Sequence, residues 1–134
     1  MPSIDVIEGV GVKFATKLRK ARIRTTEALL KRGATRSGRR EVARTTGLSE
    51  KLVLEWVNRA DLIRVKGVGR EYSDLLEHAG VDTVKELRNR KPANLHARMI
   101  EVNQKKRLVR RLPTEPMVAG WVEGAKKLDS IVKY

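Results

Sequence analysis

The sequence predicts an all-α fold: two pseudo-symmetric repeats, residues 1–62 and 63–134, in one compact helical domain, with the C-terminal helix closing onto the N-terminal hairpin. Three observations carry this expectation. A short apolar–glycine turn occurs twice, as Ile7-Glu8-Gly9-Val10-Gly11 and as Val65-Lys66-Gly67-Val68-Gly69, and each time it runs into a helical pattern. The match continues at the same 58-residue offset, pairing Phe14 with Tyr72, Ala15 with Ser73, Leu18 with Leu76, Ala21 with Ala79, Ile23 with Val81, Thr25 with Thr83 and Leu29 with Leu87. Self-similarity of this kind marks repeated supersecondary units. Finally, apolar residues recur at helical spacing along the chain, and no segment alternates convincingly in the period of a strand.

Each element has its own local reason. Val12–Ala21 places Phe14, Ala15, Leu18 and Ala21 on one helical face. Thr25 or Thr26 caps a short helix through Leu30 that Gly33 ends. Ser37 is expected to cap Gly38–Thr46, which stops at Gly47. Ser49 caps Glu50–Leu62, with Leu48 and Val53 at staple spacing around it. In the second repeat Arg70–Ala79 ends at Gly80, and Thr83 with Glu86 has capping-box spacing for a helix through Arg90. Asn94 is expected to cap Leu95–Val102, and Asn103 to cap Gln104–Arg111, stopped by Pro113 and Pro116. Met117–Leu128 is the last amphipathic stretch.

The repeats align again near their ends, at an offset of 65, where Trp56-Val57-Asn58-Arg59-Ala60 matches Trp121-Val122-Glu123-Gly124-Ala125. The second hairpin follows the long helix Glu50–Leu62, whereas only six residues precede Ile7. Met117–Leu128 is therefore expected to fold back and cover the first hairpin, in a monomer or by domain swapping with a second chain.

Charge narrows the function. The chain carries 30 Lys and Arg against 16 Asp and Glu, a net +14, and the excess is shared equally by the two repeats. A field of this size attracts polyanions, so nucleic acid is the expected partner. There is no cysteine, which excludes disulfides and thiolate metal sites. No apolar run approaches the ~20 residues of a membrane span, and the N-terminus lacks a signal peptide's apolar core. The expectation is a cytoplasmic protein with no membrane contact. No carboxylate cluster suited to two-metal cleavage, cysteine nucleophile or paired histidine is apparent, so no catalytic residue, no metal site and no enzyme activity are expected.

A glycine turn at a helix start leaves the first amides of the helix pointing outward at the positive end of its dipole, which is a seat for phosphate. The amides of Gly9, Gly11 and Val12 beside Val10 form one such seat, and those of Gly67, Gly69 and Arg70 beside Val68 the other. All four glycines are expected at positions that favour glycine, Gly11 and Gly69 included. Lys13, Lys17 and Lys20 follow the first turn, and Lys66 and Arg70 flank the second. Glu8, Glu71 and Asp74 oppose them, which makes the first seat the stronger. Two basic runs, Arg36/Arg39/Arg40/Arg44 and Lys105/Lys106/Arg107/Arg110/Arg111, occupy the same part of their repeats and are assigned to the same surface.

Gly9-Val10-Gly11 with Ala15 and Leu18, and Gly67-Val68-Gly69 with Ser73 and Leu76, resemble the helix-hairpin-helix motif, with Ser73 where alanine is usual. The whole chain also resembles an uncharacterised family of tandem helix-hairpin-helix proteins that share the Trp-Val-x-x-Ala helix. That family brings no established activity. The motif implies DNA binding without sequence preference, as in ligases, repair polymerases, junction-binding proteins and the helix-three-turn-helix part of flap endonucleases. It also implies a place in a larger repair or nuclease complex. Some related families hold a monovalent cation at the hairpin carbonyls; no other cofactor is implied. DNA stands ahead of RNA as partner.

Two rival readings come from the same residues. In a protein-interaction adaptor the hairpins only build the fold, and the basic faces dock an acidic partner. Ala43-x-x-x-Gly47-Leu48-Ser49-x-x-x-Val53-x-x-Trp56 also has the spacing of a helix-turn-helix, whose second helix reads the major groove. Glu50 and Glu55 on that helix repel phosphate, and Glu101 aligns with Gly47, so the second repeat does not share the turn. Phe14, Tyr72, Trp56 and Trp121 read as core, and His78 and His96 as helix-surface residues.

Overall fold

Local capping chemistry sets most of the helix starts in the computed structural model, which describes residues 2–134 and so leaves the first residue of the first repeat outside. A 3-10 turn, Ile4–Val6, precedes α1 (Val12–Lys20), α2 (Thr26–Arg32), α3 (Arg36–Thr46), α4 (Glu50–Ile63), α5 (Arg70–His78), α6 (Val84–Leu87), α7 (Pro92–Lys106) and α8 (Glu115–Lys126). The hydroxyls of Thr25, Thr35, Thr83 and Thr114 accept the amides of Ala28, Gly38, Glu86 and Met117, and Ser49 accepts that of Leu52. Each satisfies an amide that the helix itself leaves orphaned. Among the described residues the extended pairing is a single isolated bridge, Ser3 with Thr25. The chain is all-α.

It divides into two compact units, one of residues up to Asp61 together with Ile131–Tyr134, the other of Leu62–Ser130. The boundary falls inside α4. In the first unit α1 packs on α3 and on the 3-10 turn, and α2 packs on the same two elements. Leu18, Ile23, Leu29, Val42, Val53 and Trp56 are fully buried there. The chain end returns to this unit: the Lys133 amide donates to Ala34 O at 2.7 Å, and the Tyr134 hydroxyl to Asn58 Oδ1 at 3.3 Å. In the second unit α7 and α6 pack on α8, and α5 on α7. Leu75, Leu76, Leu87, Leu95, Met99 and Val118 centre its core.

The 58-residue offset is reproduced in backbone detail. After α1, Arg22 N donates to Arg19 O and Ile23 N to Leu18 O, both at 2.9 Å; after α5, Gly80 N donates to Glu77 O at 3.0 Å and Val81 N to Leu76 O at 2.9 Å. These are the paired bonds of a Schellman cap, whose pivot residue is left-handed. Arg22 (φ 65°) and Gly80 (φ 94°) occupy that pivot. Three residues further on, Thr25 and Thr83 cap the next helix in the same way.

Five expectations are corrected. Met117–Leu128 does not serve as the partner of the first hairpin: α8 belongs to the second unit, where Trp121 lies 5.1 Å from Tyr72 between ring centroids. The helix over the first hairpin is α4, through Trp56 at 5.2 Å from Phe14. Each tryptophan finds its aromatic and its glycine within its own repeat, so neither hairpin needs a helix from elsewhere. Gln104–Arg111 is not a separate helix. Helix α7 runs unbroken through Asn103 to Lys106 and ends at left-handed Arg107 (φ 49°). The Asn103 side chain, instead of capping a helix, accepts from Val109 N at 3.0 Å and donates to Val109 O at 3.3 Å, fixing the following loop. Thr35, not Ser37, caps α3. Pro92 and Pro116 occupy first-turn positions of α7 and α8, where a missing N–H costs nothing. Pro116 therefore starts a helix and Asn94 does not cap one.

Candidate nucleic-acid interface

The two glycine turns have one geometry. Val10 N donates to Ile7 O at 3.1 Å and Val68 N to Val65 O at 3.0 Å, closing each turn. Gly9 (φ 94°) and Gly67 (φ 91°) are left-handed. A β-carbon at Gly9 stands 3.6 Å from Trp56 Nε1, and one at Gly67 only 3.1 Å from Trp121 Nε1. The first glycine of each pair is thus favoured by its left-handed backbone, and at Gly67 also by the closing tryptophan. Val10 and Val68 are buried and anchor each turn from beneath.

The second glycine is different, and the expectation for it is corrected. Gly11 (φ −80°, ψ −177°) and Gly69 (φ −112°, ψ −153°) are extended N-caps of α1 and α5, a conformation open to any residue. A β-carbon on either meets nothing within 4 Å. What glycine supplies here is open space and a missing side chain. The two hairpin helices have no side-chain cap, whereas α2, α3, α6 and α8 are capped by their own threonines. The first-turn amides of α1 and α5 face a clear approach with the dipole behind them.

Around the first turn, Lys13 is exposed, Lys17 is half-buried and Val12 is 86% exposed at the start of α1. Glu8 is exposed, and its carbonyl is approached by the buried Arg59 guanidinium. Around the second, Lys66 and Arg70 are exposed. Asp74, expected to oppose them, is buried, with His78 Nε2 3.7 Å from its carboxylate. His78 and His96 are half-buried rather than on the helix surface, and His96 Nε2 bonds Pro113 O at 2.9 Å. Among the described residues no group of three metal-ligating side chains forms, and no helix is long and apolar enough to cross a membrane.

The basic runs divide. Arg36 and Arg40 are exposed, with Arg40 Nε 3.8 Å from Glu50. Arg44 is engaged by Glu41, with Nε 3.1 Å from Oε2. That hydrogen bond, with the charge behind it, holds the Glu41 carboxyl below its usual range and the Arg44 guanidinium above its own. Arg39 faces inward, contrary to its assignment to the surface. It is buried and donates to Gly33 O (2.9 Å), Ala34 O (3.3 Å) and Lys133 O (2.8 Å). Desolvation lowers its pKa, and three carbonyls replace the water it gives up. It is a tie between α3 and the chain end. In the second unit Lys105 Nζ lies 3.8 Å from Glu101, while Lys106, Arg107, Arg110 and Arg111 are exposed.

A residue read only as core proves to organise this surface. The Tyr72 hydroxyl, two residues past Arg70 on α5, donates to Arg111 O at 3.0 Å. It ties the basic loop 107–111 to the helix that the second glycine turn opens. Phe14 at the matching position has no hydroxyl, a difference between the two repeats that the sequence does show.

The helix-turn-helix spacing is realised as α3, a left-handed Gly47 (φ 75°) and α4. Yet α4 is buried at every residue from Trp56 to Leu62, so only its first turns, with Glu50 and Glu55, remain to face a groove. Comparison with curated proteins and with solved structures finds no match. A family model does match, over residues 8–128, a stretch that takes in both glycine pairs and both tryptophan helices. On that evidence the chain belongs to the family of the domain of unknown function DUF4332.

Proposed function

We propose that this chain is a tandem helix-hairpin-helix module that binds nucleic acid, DNA ahead of RNA, by its phosphate backbone and without reading bases. One observation carries the reading. Four of the helices are capped by their own threonines, while the two that follow glycine turns start on bare glycine with open space above. Backbone amides at such a start hold a phosphate oxygen by hydrogen bonds and by the dipole. Such contacts fix position on a duplex but carry no sequence information. In the first unit the seat is Gly9, Gly11 and Val12, with Lys13 and Lys17. In the second it is Gly67, Gly69 and Arg70, with Lys66 and the loop cations Arg110 and Arg111 tethered by Tyr72. Arg36 and Arg40 add long-range attraction. No catalysis is assigned to the chain, and nuclease or repair chemistry belongs to a partner polypeptide.

The test is a salt-dependent titration against duplex, scrambled duplex, single-stranded and branched DNA, and structured RNA. Binding that weakens with salt and ignores duplex sequence is expected. Failure to bind any nucleic acid at low salt overturns the reading in favour of an adaptor for acidic proteins.

A further inference from the structure

The pivot after α1 holds an arginine where its counterpart holds glycine. Both positions close the same pair of Schellman bonds, and both are left-handed, Arg22 at φ 65° and Gly80 at φ 94°. An L-residue with a β-carbon is strained there, and glycine is not. Strain retained where the other repeat avoids it points to use of the side chain. The surroundings agree. Arg22 and Arg24 line an open hollow of about 480 Å³ with Thr25 and Ala28. Both arginines are exposed, and among the described residues neither has an ion-pair partner. Exposed Lys20 lies two residues before Arg22, and Arg32 reaches across to Ala21 O at 3.2 Å. The opposing charge nearby is Glu27, in the first turn of α2, while Asp5 is paired with Arg19 at 3.5 Å. The Thr25 hydroxyl accepts from Ala28 N, which leaves its own proton to donate.

We propose that Arg22 and Arg24, with the Thr25 hydroxyl, form a further phosphate site on the first unit. The chemistry recognised is a phosphate oxyanion held by two guanidinium groups and a hydroxyl donor. Its source is the nucleic-acid backbone, so the inference deepens the proposed function and rests on it. The 9 residues of α1 separate this site from the first glycine turn by about 14 Å of helix at ~1.5 Å per residue. That length corresponds to about four nucleotides of one strand at a rise of ~3.4 Å.

The decisive variant is Arg22→Gly, because it removes the guanidinium while relieving the backbone. The melting temperature is expected to rise by about 2–6 °C, and affinity for a 20-bp duplex to fall about 3–10-fold with a salt slope shallower by about one. Arg22→Lys keeps both charge and strain and is expected to stay near the parent in both readouts. Inorganic pyrophosphate, followed by amide chemical shifts, is expected to move residues 22–25 saturably in the parent and not in Arg22→Gly. Unchanged duplex affinity and slope in Arg22→Gly, or no local response to pyrophosphate, overturns the site. Saturable pyrophosphate shifts in a parent that binds no nucleic acid would keep the phosphate site and overturn the nucleic-acid reading. Loss of duplex binding in Lys13→Glu/Lys17→Glu, with none in Arg22→Gly, would do the reverse.

Discussion

Two glycines only two residues apart in the sequence do different jobs in the molecule. Gly9 and Gly67 are fixed by φ near 90°, Gly67 also by a tryptophan edge, whereas Gly11 and Gly69 are extended and open. Gly9→Ala and Gly67→Ala are expected to destabilise by about 1–3 kcal/mol. Gly67→Ala should be the worse, since its β-carbon meets Trp121 at 3.1 Å against 3.6 Å for Gly9 and Trp56. Gly11→Ala should lose nucleic-acid affinity because its methyl enters the approach, at a stability cost limited to the N-cap preference of glycine over alanine, about 0.5–1 kcal/mol and below that of Gly67→Ala. Thermal melts beside duplex titrations of the three variants decide this, and a Gly11→Ala as unstable as Gly67→Ala would contradict it. Arg39 teaches the same lesson for charge. A one-letter code gives it the same standing as Arg36 and Arg40, yet its guanidinium is spent on three carbonyls.

At the scale of the element, each glycine turn is closed by the tryptophan helix of its own repeat. Trp121→Ala removes the contact with Tyr72 and empties a buried site in the second unit. The expected cost is about 3–5 kcal/mol, with hydrogen exchange accelerating in α5 and α8 rather than in α1. Faster exchange concentrated at α1 would restore the closure of the first hairpin by the last helix. The surface of α1 separates seat from bulk charge. Lys13→Glu with Lys17→Glu keeps helix propensity and reverses two charges beside the first turn. Lys126→Glu with Lys127→Glu makes the same change on the last helix, where Lys126 is already paired with Glu123 at 2.9 Å. The first pair is expected to cost much more duplex affinity than the second, with little change in melting temperature for either. Equal losses from both would mean that only net charge counts.

For the whole molecule, the quantity that matters is how many phosphates are neutralised. If the proposed function holds, the two glycine-turn seats and the cations beside them are expected to contact about 4–8 phosphates, giving a log–log salt slope of roughly −4 to −7. That is short of the formal +14, which already subtracts acids such as Glu41 beside Arg44 and Glu101 beside Arg98 and Lys105. The remainder is cations away from the seats, together with Arg39, which is buried. A slope near zero would remove the backbone from the recognition, and isothermal titration at three salt concentrations measures it directly.

The features that the sequence by itself determined are those whose causes lie within a few residues. Glycine turns, threonine caps at Thr25 and Thr83, the stop at Gly47 and the all-α class all follow from contacts inside one or two turns of chain. The family, too, was legible in the repeated turns and the Trp-Val-x-x-Ala helices. Tertiary structure alone decided which helix covers which hairpin, because Phe14, Tyr72, Trp56 and Trp121 have the same composition and spacing under either pairing. It decided that 107–111 is a loop, since the Asn103 amide group, equally suited to capping a helix, is used to clamp Val109. It also decided which arginines meet solvent. A guanidinium bonds water, a carboxylate or a backbone carbonyl equally well, and only the packed chain places the carbonyls of Gly33, Ala34 and Lys133 within reach of one of them.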